Sequence, residues 1–211
     1  MRTLTRRRVK ICGITTASDA RLAASLGADA IGLNFHPASS RYIDPERVAE
    51  ITEHLPAFVT VVALFVNPAR NAVEKLLDSG RVQCLQFHGD EPLSFCRSFG
   101  VPFIKALRVQ DLEDTRRQLD SFDGAGGVIL DAYVKGEPGG TGQVFDWQIA
   151  RKLVEEGHDQ LILAGGLTPD NVAAAIEAVS PYGVDVSSGV ESRPGIKDPD
   201  RMRRFFAAVS G

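Results

Sequence analysis

The chain has 211 residues, 44% hydrophobic and 24% charged, with a formal net charge of -3 at pH 7. That length suits one substantial domain, and the mildly acidic balance gives no support for a nucleic-acid or membrane-surface partner. No segment approaches the roughly 20 apolar residues of a membrane span. The basic run Arg2, Arg6, Arg7 and Arg8 lacks the apolar stretch that follows the charged region of a secretory signal, and residues 1–7 read as a solvated basic tail.

From there one pattern repeats: a short apolar run rich in β-branched residues, a turn, then a segment of helical period. Strands are expected at 9–12, 30–35, 58–66, 82–87, 103–107, 127–131, 160–164 and 183–186. Helices are expected at 18–26, 45–54, 68–78, 92–99, 111–121, 146–156, 169–178 and 199–209. Asp44-Pro45, Asn67-Pro68 and Thr168-Pro169 each offer a capping side chain followed by a proline suited to the first helical position. Eight units of roughly 26 residues match the short end of the (β/α)8 TIM barrel. A doubly wound open sheet is the alternative, but near-equal units without a long insertion or a low-complexity linker favour closure. The expectation is an α/β, single-domain (β/α)8 barrel over residues 1–211.

Function in such a barrel sits in the loops after the strands. Cys12 ends the first strand in Val9-Lys10-Ile11-Cys12, where a thiol is either a small core hydrophobe or a base or nucleophile. Lys10, two residues earlier, shares its face. If both point inward, the cation would favour thiolate, or Lys10 could pair internally with Asp131 or Asp185. Asp131 ends strand six after three apolar residues, a costly place for a carboxylate unless it is used or well hydrogen-bonded. Strands one and six are not neighbours, so Cys12 and Asp131 could face each other across the mouth and divide proton removal from donation. Asp185, near the end of strand eight, could share that mouth or orient its neighbours.

The loop after strand two carries Arg41, which could grip a substrate carboxylate or be a solvated surface residue. His88, after strand four, could meet ligand or, as the simpler reading, pin its loop. Glycine-rich loops follow strand six (Gly139-Gly140-Thr141-Gly142), strand seven (Gly165-Gly166) and strand eight (Ser188-Gly189). Glycines let backbone N–H groups approach an anion, and the loops after strands seven and eight are the usual barrel phosphate site, often with a short extra helix, which 188–191 could supply. Gly140, Gly142, Gly165, Gly166, Ser188 and Gly189 are therefore phosphate-site candidates; the bland alternative is tight turns. Three cysteines make no closed disulfide set and no CxxC pair, so Cys84 and Cys96 read as packing residues. The four histidines lack zinc-ligand spacing. A cytosolic, reduced protein without metal is expected.

Taken together, VKICGIT (9–15), GLNFHPASSRYI (32–43), QFHGDE (86–91), the ILD ending at Asp131, GGTG (139–142), LAGGLTPDNV (163–172) and VDVSSGVESRPGIKD (184–198) resemble the phosphoribosylanthranilate isomerases of tryptophan biosynthesis. The likeness spans nearly the whole chain. It departs only slightly, with Phe87 where leucine is common and Ser40 where proline often precedes the arginine. It implies a cytoplasmic Amadori isomerase with Cys12 as general base, Asp131 as general acid and Arg41 on the anthranilate carboxylate. Backbone groups of the glycine loops would hold the ribose phosphate, with no cofactor and no metal. The implied partner is the small-molecule substrate phosphoribosylanthranilate, with no nucleic acid or membrane, on a monomer or homodimer. The histidine-pathway isomerase and dual-specificity barrels place an aspartate where this chain has Cys12. Metal-dependent sugar-phosphate epimerases need ligands that the chain lacks. A non-catalytic phosphate-binding barrel fits poorly with Cys12 and Asp131 both present.

Overall fold

Parallel strands cannot be joined by a tight turn, so each unit needs a crossover, and a helix is the economical one. The computed structural model, which describes residues 6–132 and 146–211, shows that arrangement. Among the described residues the strands are β1 (Arg8–Cys12), β2 (Ala30–Asn34), β3 (Thr60–Phe65), β4 (Cys84–Phe87), β5 (Phe103–Val109), β6 (Gly127–Ala132), β7 (Leu161–Leu163) and β8 (Gly183–Val186). They pair in parallel in chain order, and β8 returns to β1 to close the barrel. The open-sheet alternative is thereby excluded.

The crossovers are α1 (Ala17–Ser25), α2 (Val48–Thr52), α3 (Arg70–Leu77), α4 (Leu93–Arg97), α5 (Leu112–Ser121), α6 (Trp147–Glu155) and α7 (Val172–Val179), with α8 (Pro199–Ser210) closing the outer ring. A short antiparallel hairpin, β9 (Glu191–Arg193) with β10 (Ile196–Lys197), lies between β8 and α8.

Alternation along each strand sorts residues into two layers. Ile11, Ile31, Leu33, Leu85, Leu130 and Val184 belong to the large apolar cluster shared with the helices. Ile104, Ala106, Ile129, Ile162 and Ala164 pack together as a second, smaller cluster. Each fully buried aliphatic side chain contributes about 1.5–3 kcal/mol over leaving it in water. Cys84 and Cys96 are buried, as their packing role requires, and burial pushes both thiols up to about 11.

Three local expectations need correction. Asp44 does cap its segment, accepting from the Glu46 N–H, but the helix splits into a 3-10 turn (Pro45–Arg47) followed by α2. Asn67 does not cap α3, which starts at Arg70; its side chain instead accepts the Asp90 N–H across the next loop. Thr168 likewise does not start α7, because the chain is still turning there; Asn171 takes the N-cap position. Of the basic run, Arg6 and Arg8 both pair with Asp29, and Arg7 donates to the Pro181 carbonyl.

Candidate active site

The C-terminal ends of the barrel strands surround a cavity of about 240 Å³. Cys12, Arg41, His88, Asp131, Gly165, Gly166, Asp185, Ser188 and Gly189 all line it. Lys10 lies one layer deeper, while Gly140 and Gly142 lie outside the described residues. The closed strand order puts β7 and β8 between β6 and β1 on one side and the other four strands on the other. Cys12 and Asp131 therefore stand apart on the rim of one cavity.

Lys10 points inward beside Cys12, as the two-residue period requires, and its Nζ lies 2.9 Å from both carboxylate oxygens of Asp185. Of its two possible partners it takes the carboxylate of the neighbouring strand, where register places Lys10 opposite Asp185. A buried charge persists only when paired. Burial alone would lower the Lys10 pKa, but the charge and hydrogen bonds of Asp185 raise it, so Lys10 stays an ammonium. Its cation does favour the Cys12 thiolate, yet burial is the stronger influence and Asp185 adds to it, and the thiol is pushed up on balance. Activation of Cys12 by Lys10 is thus only partial.

His88 projects from the β4 loop, with its Nε2 3.4 Å from an Asp131 carboxylate oxygen. That ring nitrogen is buried without a hydrogen bond among the described residues. Burial, reinforced by Arg108, Lys10 and Lys105, drops the imidazole to about 4, so it is neutral at pH 7. The unfolded chain takes up this proton nearer pH 6.5. The unfolded state therefore binds more protons between those values, and stability falls as pH is lowered from about 6.5 towards 4. Urea titrations across that range should show a loss that is smaller in His88→Gln by on the order of 2 kcal/mol. Equal losses in both proteins would contradict the depressed imidazole.

The loop that carries His88 is braced by a cluster the sequence reading missed. Lys105, buried on β5, pairs with Glu91 at 2.8 Å, and Glu91 accepts the N–H groups of Asn67 and Gly89. A lysine inside the apolar run Phe103-Ile104-Lys105-Ala106-Leu107 was the available signal.

At the phosphate end, Gly165 and Gly166 adopt positive φ (76° and 64°), and their N–H groups have no hydrogen-bond partner among the described residues. Asn171 holds this loop at both ends, accepting the Thr168 N–H and donating to the Gly166 carbonyl. Ser188–Val190 forms the short extra helix, one 3-10 turn. Gly189 is obligatory by contact: a Cβ there would overlap the Leu167 carbonyl oxygen, so only glycine lets the two loops lie backbone to backbone. The result is a wall of backbone donors suited to an anion.

Arg41 reaches the cavity from the β2 loop, which Asn34 shapes by accepting the His36 N–H and donating to Ser39, whose hydroxyl accepts the Arg41 N–H. It is no solvated surface arginine. Its Nε and Nη2 bind Glu191 at 2.9 and 2.8 Å in a fork. Gly13, at φ 72°, makes room for its stem: a Cβ there would fall 2.5 Å from the Arg41 Cδ. Glu191 also receives Lys197, whose Nζ donates to the Cys12 carbonyl at 2.6 Å. Burial opposes ionisation of Glu191, but Arg41 and Lys197 hold it below the usual carboxylate range. Neither Glu191 nor Lys197 was singled out from sequence, although both lie in the loop after strand eight.

A family model described as N-(5'phosphoribosyl)anthranilate (PRA) isomerase matches residues 9–208. The N-(5'-phosphoribosyl)anthranilate isomerase of Pseudomonas aeruginosa strain UCBPP-PA14 is 50% identical over 202 residues, covering 96% of this chain and 94% of the relative. That of Nitrosomonas eutropha is 48% identical over 203 residues, covering 96% of each. The crystal structure of phosphoribosyl anthranilate isomerase from Thermotoga maritima superposes with a TM-score of 0.89 at 39% identity, covering 97% of this chain and 99% of that one. A phosphoribosyl anthranilate isomerase in complex with reduced 1-(o-carboxyphenylamino)-1-deoxyribulose 5-phosphate superposes with a TM-score of 0.86 at 38% identity, with the same coverage. The barrel, the cavity and a match running almost from end to end agree: the chain belongs to the N-(5'-phosphoribosyl)anthranilate isomerase family.

Proposed function

We propose that the chain catalyses the Amadori rearrangement of N-(5-phosphoribosyl)anthranilate to 1-(2-carboxyphenylamino)-1-deoxyribulose 5-phosphate, as a cytoplasmic enzyme of tryptophan biosynthesis. The observation that carries this reading is one cavity bounded by Cys12, Asp131, Arg41 and the backbone of Gly165-Gly166 and Ser188-Gly189. Those groups match the substrate's two anions and its two proton transfers. The molecule bound to the related isomerase is a reduced form of this product.

In this reading the ribose phosphate docks on the glycine-loop N–H groups, and the anthranilate carboxylate meets the Nη1 side of Arg41, which Glu191 leaves free. Asp131, protonated, donates to the furanose ring oxygen; the C1–O bond breaks and the aryl nitrogen lone pair completes a Schiff base. Cys12, as thiolate, removes the C2 proton to give an enolamine. This tautomerises by taking a proton at C1 and releasing one from the C2 hydroxyl. A neutral His88 suits the acid role, because an imidazolium 3.4 Å from Asp131 would favour carboxylate over carboxylic acid. Lys10 and Asp185 compensate each other's charge beside Cys12, and Asp185 also lines the cavity.

Two measurements test the proposal. Phosphoribosylanthranilate and the phosphoribosyl carboxamide of histidine synthesis are supplied separately, and isomerisation is expected of the first only; turnover of the second alone would overturn the assignment. Arg41→Ala is expected to raise KM about tenfold to a hundredfold with a smaller effect on kcat, since it removes a charge-assisted contact made in ground and transition states alike. An unchanged KM would leave Arg41 only a brace for Glu191.

A further inference from the structure

Arg41 and Cys12 sit on different loops and would perform different tasks, yet both are fastened to one buried carboxylate–ammonium pair. The Glu191 side chain is 4% exposed and that of Lys197 0%. Glu191 forks onto Nε and Nη2 of Arg41 and receives Lys197 at 2.8 Å on the oxygen that also binds Nε. Lys197 then donates to the Cys12 carbonyl at 2.6 Å and the Ser187 carbonyl at 3.2 Å. The pair is itself held from behind. Asp19 accepts the Lys197 backbone N–H at 3.1 Å, and Arg201 donates to the Glu191 carbonyl at 2.5 Å. The Pro-Gly turn of the β9–β10 hairpin brings the two side chains together across a gap of only a few residues.

We propose that Glu191 and Lys197 form a single positioning unit, which aims the Arg41 guanidinium at the substrate carboxylate and fixes the strand end that carries Cys12. The proposal rests on the roles given above to Arg41 and Cys12. A planar guanidinium gripped on two nitrogens has one orientation, so its remaining edge meets a carboxylate in one geometry. Lys197 supplies the second connection. It tethers the Cys12 backbone, and its cation is one of the charges that favour the Cys12 thiolate. Two ends of the substrate are thereby set at a constant separation, and a shift of about 1 Å between them would cost about a hundredfold.

The experiment compares phosphoribosylanthranilate with phosphoribosylaniline, formed in situ, which lacks the carboxylate. Glu191→Gln is expected to raise KM for the carboxylated substrate about tenfold and to change that for the aniline less than about threefold. Lys197→Met is expected to lower kcat on both substrates and to move the rise of kcat/KM with pH to higher pH. Arg41→Ala is the control and should erase the preference for the carboxylate. An equal penalty on both substrates in Glu191→Gln, while the Arg41→Ala penalty falls on the carboxylated substrate alone, overturns the unit alone. So does a Lys197→Met enzyme whose pH profile is unmoved. An Arg41→Ala penalty that falls equally on both substrates overturns the carboxylate reading and the unit with it. If Glu191→Gln does not fold, Glu191→Asp, which keeps the charge but shortens the reach, is read on the same substrates with the same criteria.

Discussion

Cys12→Ser is expected to fold as the parent does and to lose about two to four orders of magnitude in kcat. The side chain is nearly isosteric, so packing at the end of β1 is preserved, while a hydroxyl is too weak an acid to supply the anion that removes a C2 proton. Burial already pushes the Cys12 thiol up, with Asp185 adding to the push and Lys10 and Lys197 opposing it. The free enzyme therefore holds a minority of thiolate at pH 7, and kcat/KM should climb as pH rises towards the alkaline side of the ordinary cysteine range. Circular dichroism establishes the fold, and a pH series of kcat/KM locates the thiol. A serine variant within a few-fold of the parent would remove Cys12 from the base role.

Asp131→Asn should be as damaging, and again in turnover rather than binding. The amide fits the same space but has no acidic proton for the ring oxygen, so ring opening stops while the glycine loops and Arg41 still hold substrate. Turnover is expected to fall by about two to four orders of magnitude, with substrate affinity measured by calorimetry changed little. Unchanged turnover would sink the general-acid assignment. A large loss of affinity would instead make Asp131 a binding residue. The two variants also separate the half-reactions: Cys12→Ser can still open the ring, whereas Asp131→Asn cannot.

The barrel was legible because its signal is repetitive. Eight apolar runs with β-branched enrichment, spaced by helical segments, constrain one another, and β8 in particular falls at 183–186 as expected. Errors gathered at helix starts. Asn67 and Thr168 carry good capping chemistry, but that chemistry serves loop as well as helix, and in the folded chain their side chains fasten turns. The strand-end residues Cys12 and Asp131 were also legible, since a polar or reactive residue closing an apolar run is conspicuous.

Pairings were not. Lys10 had two candidate carboxylates at equal standing, and only the register of β1 against β8 chose Asp185. Glu191, Lys197 and Glu91 were passed over because a loop charge is usually solvated and nothing local distinguishes one that will be buried, whereas Lys105, inside the apolar run of β5, carried a signal.

The sequence by itself determined the alternation of strand and helix, the residues that end each strand, and the glycines between them, because propensity and period act over a few neighbours. The tertiary structure alone decided which charges meet. Closure of the ring brings residue 10 against residue 185 and the loop at residue 41 against residue 191. Partners so far apart in the chain have no local signature, and their pairing follows from burial, which leaves a charge no other way to be satisfied.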